Sequence, residues 1–152
     1  MVSEPQKELR FTRSGQAVKF CVLGAVFVGI GVTLVATSIY REINPELPHP
    51  SWAIPCFTLA AASIWLAMHL AKHAYLILTP MGLEIFPFFR PSKGMQLVMW
   101  QEIVALELDA DMTKLTLHYN AEKTAGMHLS LRPIRRTLRG LLAKAIQGRA
   151  KQ

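Results

Sequence analysis

Two histidines, His69 and His73, stand four residues apart near the end of a long uncharged run. On a helix that spacing puts both imidazoles on one face, where they can clamp a metal ion or help to hold a haem. A zinc centre needs three or four ligands, and no Glu completes a His-Glu-x-x-His pattern. The apolar run upstream has no histidine to face them, and His49 lies beyond the opposite end of their own run. No metal and no cofactor is therefore expected. His69 and His73 read as polar residues at a helix end, and a small membrane metal or haem protein is the alternative they define. His118 and His128 fall in alternating segments and read as surface positions or sheet neighbours.

Catalytic chemistry finds little else to use. Ser92 and Ser130 have no histidine and acid arranged around them by sequence, and Glu84, Glu102, Glu107, Asp109 and Asp111 are scattered through strands and turns as solvated carboxylates. There is no Gly-rich phosphate loop. Cys21 and Cys56 lie in apolar runs at a spacing that fits no zinc or redox motif, so they read as packed free thiols. The chain is expected not to be an enzyme, and no small-molecule substrate is implied.

Cations are the second source of chemistry. The formal net charge is +7, although 51% of residues are hydrophobic, so basic and apolar character must be segregated along the chain. Arg90 and Lys93 belong to the turn "RPSKG", and Arg132, Arg135, Arg136 and Arg139 cluster before and within the last helical segment. Near an anionic leaflet each such residue is worth about 1 kcal/mol. These six are the candidate contacts for lipid phosphates; a solvated basic face is the plainer reading. No basic and aromatic interleaving and no groove-reading helix appears, so nucleic acid is not expected as a partner.

The elements that carry these residues follow from the charge pattern. Residues 20–40 and 51–71 are free of Asp, Glu, Lys and Arg. At about 1.5 Å per residue, a helix of that length matches the roughly 30 Å hydrocarbon core of a bilayer. The first run is too long for a signal-peptide core of about 7–15 residues. Between the runs lies "REINPELPHP", a polar loop with three prolines. Residues 1–74 thus read as a short N-terminal segment and a transmembrane hairpin. Lys7, Arg10, Arg13 and Lys19 precede the first span and Lys72, Arg90 and Lys93 follow the second, whereas the loop has Arg41 alone. The positive-inside rule then puts both termini in the cytoplasm. Ala25, Gly29 and Thr33 recur every four residues on one face of the first span, a helix-packing stripe for this hairpin or for a second copy.

After Lys72 the period changes. "HAYLILTP", "MGLEIFPF", "GMQLVMWQEI", "VALELDA", "KLTLHYN" and "GMHLSL" are short, separated by Gly, Pro, Asn or Asp, and several alternate apolar with polar residues. They predict six half-buried antiparallel strands. From Pro133, which suits a first helical position, Ile134, Leu138, Leu141, Leu142, Ala145 and Ile146 recur at helical spacing. This is an amphipathic helix that must cover the sheet. In "FPFF", Phe86 and Phe88 are expected in the core and Phe89 at a turn. Residues 75–152 are an α+β unit.

Three stretches, "LILTPMGLEI", "MWQEIVALEL" and "MHLSLRPIRRTLRGLLAKAI", resemble the bacterial pleckstrin-homology-like domains of small membrane proteins. The resemblance implies a strongly bent antiparallel sheet, or pair of sheets, with the sheet or barrel plugged at one end by the C-terminal helix. The family pattern has seven strands, so the seventh is either in the "HAYLILTP" region or absent. The first hairpin, "LTPMGLE", has no Lys or Arg, so the phosphoinositide recognition of such domains is not implied. The expectation is an integral protein of the bacterial inner membrane with a cytoplasmic, non-catalytic module for a protein partner or a homo-oligomer. The alternative is a peripheral sensor of anionic lipid.

Overall fold

The computed structural model describes residues 7–90 and 92–151. The first six residues of the expected N-terminal segment, Pro91 of the "RPSKG" turn and Gln152 lie outside the described residues. The chain forms two compact units: residues 17–70, and the residues up to Gln16 together with those from Ala71 onward. The second unit is thus discontinuous, interrupted in sequence by the first.

The helical unit is a hairpin of α1 (Ser14–Ser38) and α2 (Ala53–Lys72). Both helices are long and apolar enough to cross a membrane. Their outward faces are also apolar: Val22, Val26, Val32, Ile54, Leu59 and Trp65 are all exposed. The buried residues of α1 are Ala17, Gly24 and Gly31, and those of α2 include Ala53, Ala60 and Ala67. In each helix the small residues recur every seven positions. That is the 3.5-residue period of a left-handed pair, with small side chains letting the backbones approach. A Cβ on Gly24 would lie 2.9 Å from Ile64 Cγ1, and one on Gly31 would lie 2.9 Å from the Phe57 ring. Ala25, Gly29 and Thr33 are exposed instead, and a Cβ on Gly29 would meet nothing within 4 Å. The Thr33 hydroxyl donates to the Gly29 carbonyl of its own helix at 2.8 Å. The seam of this hairpin therefore follows the seven-residue set, not the four-residue stripe.

Among the described residues the other unit has seven strands in two antiparallel sheets. One sheet has the order β1 (Leu9–Thr12), β2 (Ala74–Leu78), β3 (Gly82–Ile85) and β4 (Gln96–Met99). The other has β5 (Ala105–Leu108), β6 (Lys114–His118) and β7 (Gly126–Ser130). The six strands expected from alternation are β2 to β7. The seventh is not near "HAYLILTP", which is β2 itself; it is "LRFT", before the first long helix. Leu9 pairs with Leu78, Arg10 with Ile77 and Phe11 with Leu76. The chain leaves the sheet after Thr12 and returns to it at Ala74.

Of the forms the resemblance implies, the chain adopts the pair of sheets and not a closed barrel. A 3-10 turn at Trp100–Glu102 carries the chain from β4 to β5 without pairing them, and two separate sheets result. Their inner faces share one core, which includes Phe11, Leu76, Leu78, Leu83, Val98, Leu115, Leu117 and Leu129. Alternation along the strands places these side chains together and aims their neighbours outward.

The last helix, α3, runs Arg136–Ala150. It starts three residues after Pro133, which lies instead in a turn where Ile134 N–H donates to Leu131 O at 3.0 Å. Leu142, Ala143 and Ile146 are buried, as is Ile134 ahead of the helix, while Leu138 and Leu141 remain exposed. Arg149 on α3 donates to the carbonyls of Thr79 at 3.1 Å and Lys7 at 2.7 Å. It thereby ties the helix to the turn after β2 and to the chain before β1.

Candidate interaction surfaces

Three arrangements in the sheet unit carry polar chemistry. The first is structural. The Arg13 guanidinium donates to Phe86 O at 3.2 Å and lies 4.2 Å from the Tyr75 ring centroid and 5.7 Å from that of Phe88. Tyr75 in turn donates from its hydroxyl to Ser130 O at 2.9 Å, linking the two sheets. Burial pushes the Tyr75 phenol above its ordinary value, with the Arg13 charge pulling the other way. Phe86 and Phe88 are half-buried and Phe89 is 80% exposed, packing edge-on against Phe88.

The second is on β5 and β6. His118, expected as a surface position or a sheet neighbour, is the latter: it pairs with Ala105 and Gly126 and is only 7% exposed. Its Nε2 lies 3.2 Å from Glu107 Oε2, and Lys123 donates to the other carboxylate oxygen. The buried Nδ1 has no hydrogen-bond partner among the described residues. The Lys123 hydrogen bond, followed by that of His118, holds the Glu107 carboxyl below the usual range. This is an ion-pair cluster that joins neighbouring strands to the loop after β6.

The third is the free edge of β4, which no expectation anticipated. Among the described residues β4 pairs with β3 alone. Trp100 N–H donates to Met81 O at 3.3 Å, on the β3 side. In an antiparallel ladder the intervening residues point their N–H and C=O the other way. Leu97 and Met99 therefore present their backbone outward. The Met99 N–H is taken by Glu102 Oε2 at 3.3 Å. The edge "MQLVM" carries no charge, and Met95, Leu97 and Met99 are 46%, 41% and 42% exposed. A groove of about 400 Å³ runs beside it, lined by Leu97, Val98, Glu102 and Tyr119. Burial and the Glu102 charge raise the Tyr119 phenol above its ordinary value. The groove brings the β4 edge together with Tyr119, the residue that follows β6 of the other sheet.

The expected lipid contacts divide into two groups. Arg90 and Lys93 are exposed in the turn between β3 and β4, with Arg90 at a φ of 55° and its carbonyl accepting from Lys93 N–H at 3.1 Å. Arg132, Arg135 and Arg136 are exposed before and at the start of α3. Arg139 is half-buried and committed to the backbone, donating to Ile134 O at 3.1 Å and Arg132 O at 3.2 Å. His69 stacks on Trp65 with ring centroids 5.6 Å apart. Among the described residues no group of three or more His, Cys, Asp or Glu is placed to hold a metal ion.

No protein-family model matches the chain, and no curated protein or solved structure is significantly similar to it.

Proposed function

We propose that the protein is an integral membrane protein that presents a pleckstrin-homology-like module as a non-catalytic adaptor. Its partner is a protein segment that adds an extended strand to β4, from another protein or a second copy. The exposed, uncharged β4 edge beside its groove is the observation that carries this reading. Soluble proteins usually block such edges with charge, proline or a bulge. An extended peptide satisfies the edge through main-chain hydrogen bonds and seats alternate side chains in pockets. Exchange of the Glu102 carboxylate for an incoming carbonyl at the Met99 N–H keeps that donor satisfied.

The membrane assignment is supported by the exposed apolar faces of both long helices. Exposed apolar area costs roughly 25 cal/mol per Å² in water and nothing comparable in lipid. Pairing of β1 with β2 also requires the chain to leave and re-enter on one side, which an even number of crossings satisfies. The excess of Lys and Arg at the hairpin ends supports the cytoplasm as that side, and a bacterial inner membrane as the setting follows from the family resemblance. The four-plus-three strand arrangement and terminal helix support the pleckstrin-homology-like reading.

The test is site-specific photocrosslinking in cells from position 95, with position 144 on α3 as a control. The expected result is a discrete adduct from position 95 that Leu97→Lys abolishes. An adduct at twice the chain mass identifies a second copy. Equal labelling from both positions, or labelling that Leu97→Lys leaves intact, refutes the reading.

A further inference from the structure

We infer that the outer face of the three-stranded sheet holds a single phosphate group, a site distinct from the β4 edge. Leu115, Leu117 and Leu129 are buried on the inner face, so alternation aims Lys114, Thr116, His128 and Ser130 outward. Register places Lys114 opposite Ser130 and Thr116 opposite His128. Two residues beyond Ser130, after the buried Leu131, comes Arg132. Lys114, His128, Ser130 and Arg132, with Thr113 and Asp109, line a depression of about 370 Å³. This is within the size range of small-ligand pockets.

The cations in this depression are uncommitted. Among the described residues the ion pairs within 4 Å are Arg10 with Glu8, and His118 and Lys123 with Glu107. Neither Lys114 nor Arg132 takes part in one. His128 engages Thr116 Oγ1 through Nδ1 at 3.1 Å, which leaves Nε2 for a ligand. Beyond Glu122 the sequence has no acidic residue, yet it contains Lys123, Arg132, Arg135, Arg136, Arg139, Lys144, Arg149 and Lys151. Arg139 bonds to the Arg132 carbonyl and brings a further guanidinium to this end of the sheet.

The chemistry selects phosphate. An ammonium, a guanidinium, a hydroxyl and an imidazole are four kinds of donor on one small face. They suit the several oxygens of a tetrahedral anion better than the two of a carboxylate. Asp109 also lines the depression and accepts from the Thr113 hydroxyl at 3.2 Å. Its charge opposes a second phosphate, so the site takes one phosphate group and disfavours polyphosphates. A soluble phosphate ester and a lipid headgroup share this chemistry.

The test uses the full chain in phosphatidylcholine nanodiscs, with His128 followed by NMR of its imidazole resonance. One arm titrates inorganic phosphate at constant ionic strength, and the other replaces phosphatidylcholine with phosphatidic acid. A saturable shift in the first arm assigns a soluble ligand, and one in the second assigns a headgroup. Lys114→Gln with Arg132→Gln is expected to weaken binding about tenfold or more. Arg135→Gln with Arg136→Gln removes equal charge outside the depression and is expected to change binding less than about threefold. No saturable shift in either arm, or equal losses in the two double variants, overturns the proposal.

Discussion

Substitution of Phe11 tests the link between the two ends of the chain. Phe11 is 4% exposed, pairs with Leu76 across the β1–β2 ladder and belongs to the shared core. Replacing a buried phenylalanine with alanine costs about 3–5 kcal/mol, from lost transfer energy and the cavity left behind. Domains of this size have about 5–15 kcal/mol in total. Taking about 3 kcal/mol, the open state of the sheet rises roughly 150-fold. The measurement is amide hydrogen exchange of residues 74–79 in the full chain held in nanodiscs, which reports local opening. Phe11→Ala is expected to accelerate exchange there by about two orders of magnitude, and Phe11→Leu to cost less than about 1.5 kcal/mol. Arg149→Met provides an independent arm, because it removes charge-assisted bonds to the Lys7 and Thr79 carbonyls. Such bonds contribute about 1.5–3 kcal/mol each, with the lower end apt for these partly solvated groups. The reasoning is refuted if β2 exchange is unchanged in Phe11→Ala. It is equally refuted if residues 71–152 alone protect β2 as well as the full chain does.

Two further expectations concern the hairpin and the ion-pair cluster. Gly31→Leu forces a side chain against the Phe57 ring, so the thermal midpoint in detergent should fall by an amount equivalent to about 1–3 kcal/mol. Gly29→Leu faces open space and should be neutral, and equal losses would contradict the seven-residue seam. The folded-state Glu107 carboxyl lies below its unfolded value, so its contribution is present above the ordinary carboxylate range and disappears as pH falls through the folded value. Urea titrations between about pH 6 and pH 3 should show wild-type losing its advantage over Glu107→Gln in that acid window. A difference that stays constant across the titration would refute the assignment.

Local periodicity made much of the molecule legible in its sequence. Unbroken apolar runs marked α1 and α2, alternation marked β2 to β7, and a 3.6-residue stripe marked α3, because each pattern is complete within one segment. What escaped depended on a partner distant in sequence. "LRFT" is four residues of ordinary alternation, and only Leu76 and Leu78, more than sixty residues away, make it a strand. In α1, two sets of small residues competed for the helix interface, and Ile64 and Phe57 on α2 decided for Gly24 and Gly31 over Gly29. His118 is on the outer face of its strand, yet Glu107, Lys123 and the neighbouring strands cover it. The free edge of β4 is likewise a property of strand order, not of any residue in it. The sequence by itself determined which segments are apolar rods, strands and an amphipathic helix, since those depend on side-chain period. Tertiary structure alone decided which edges pair and which stay open, since backbone hydrogen bonding between strands is set by what lies alongside.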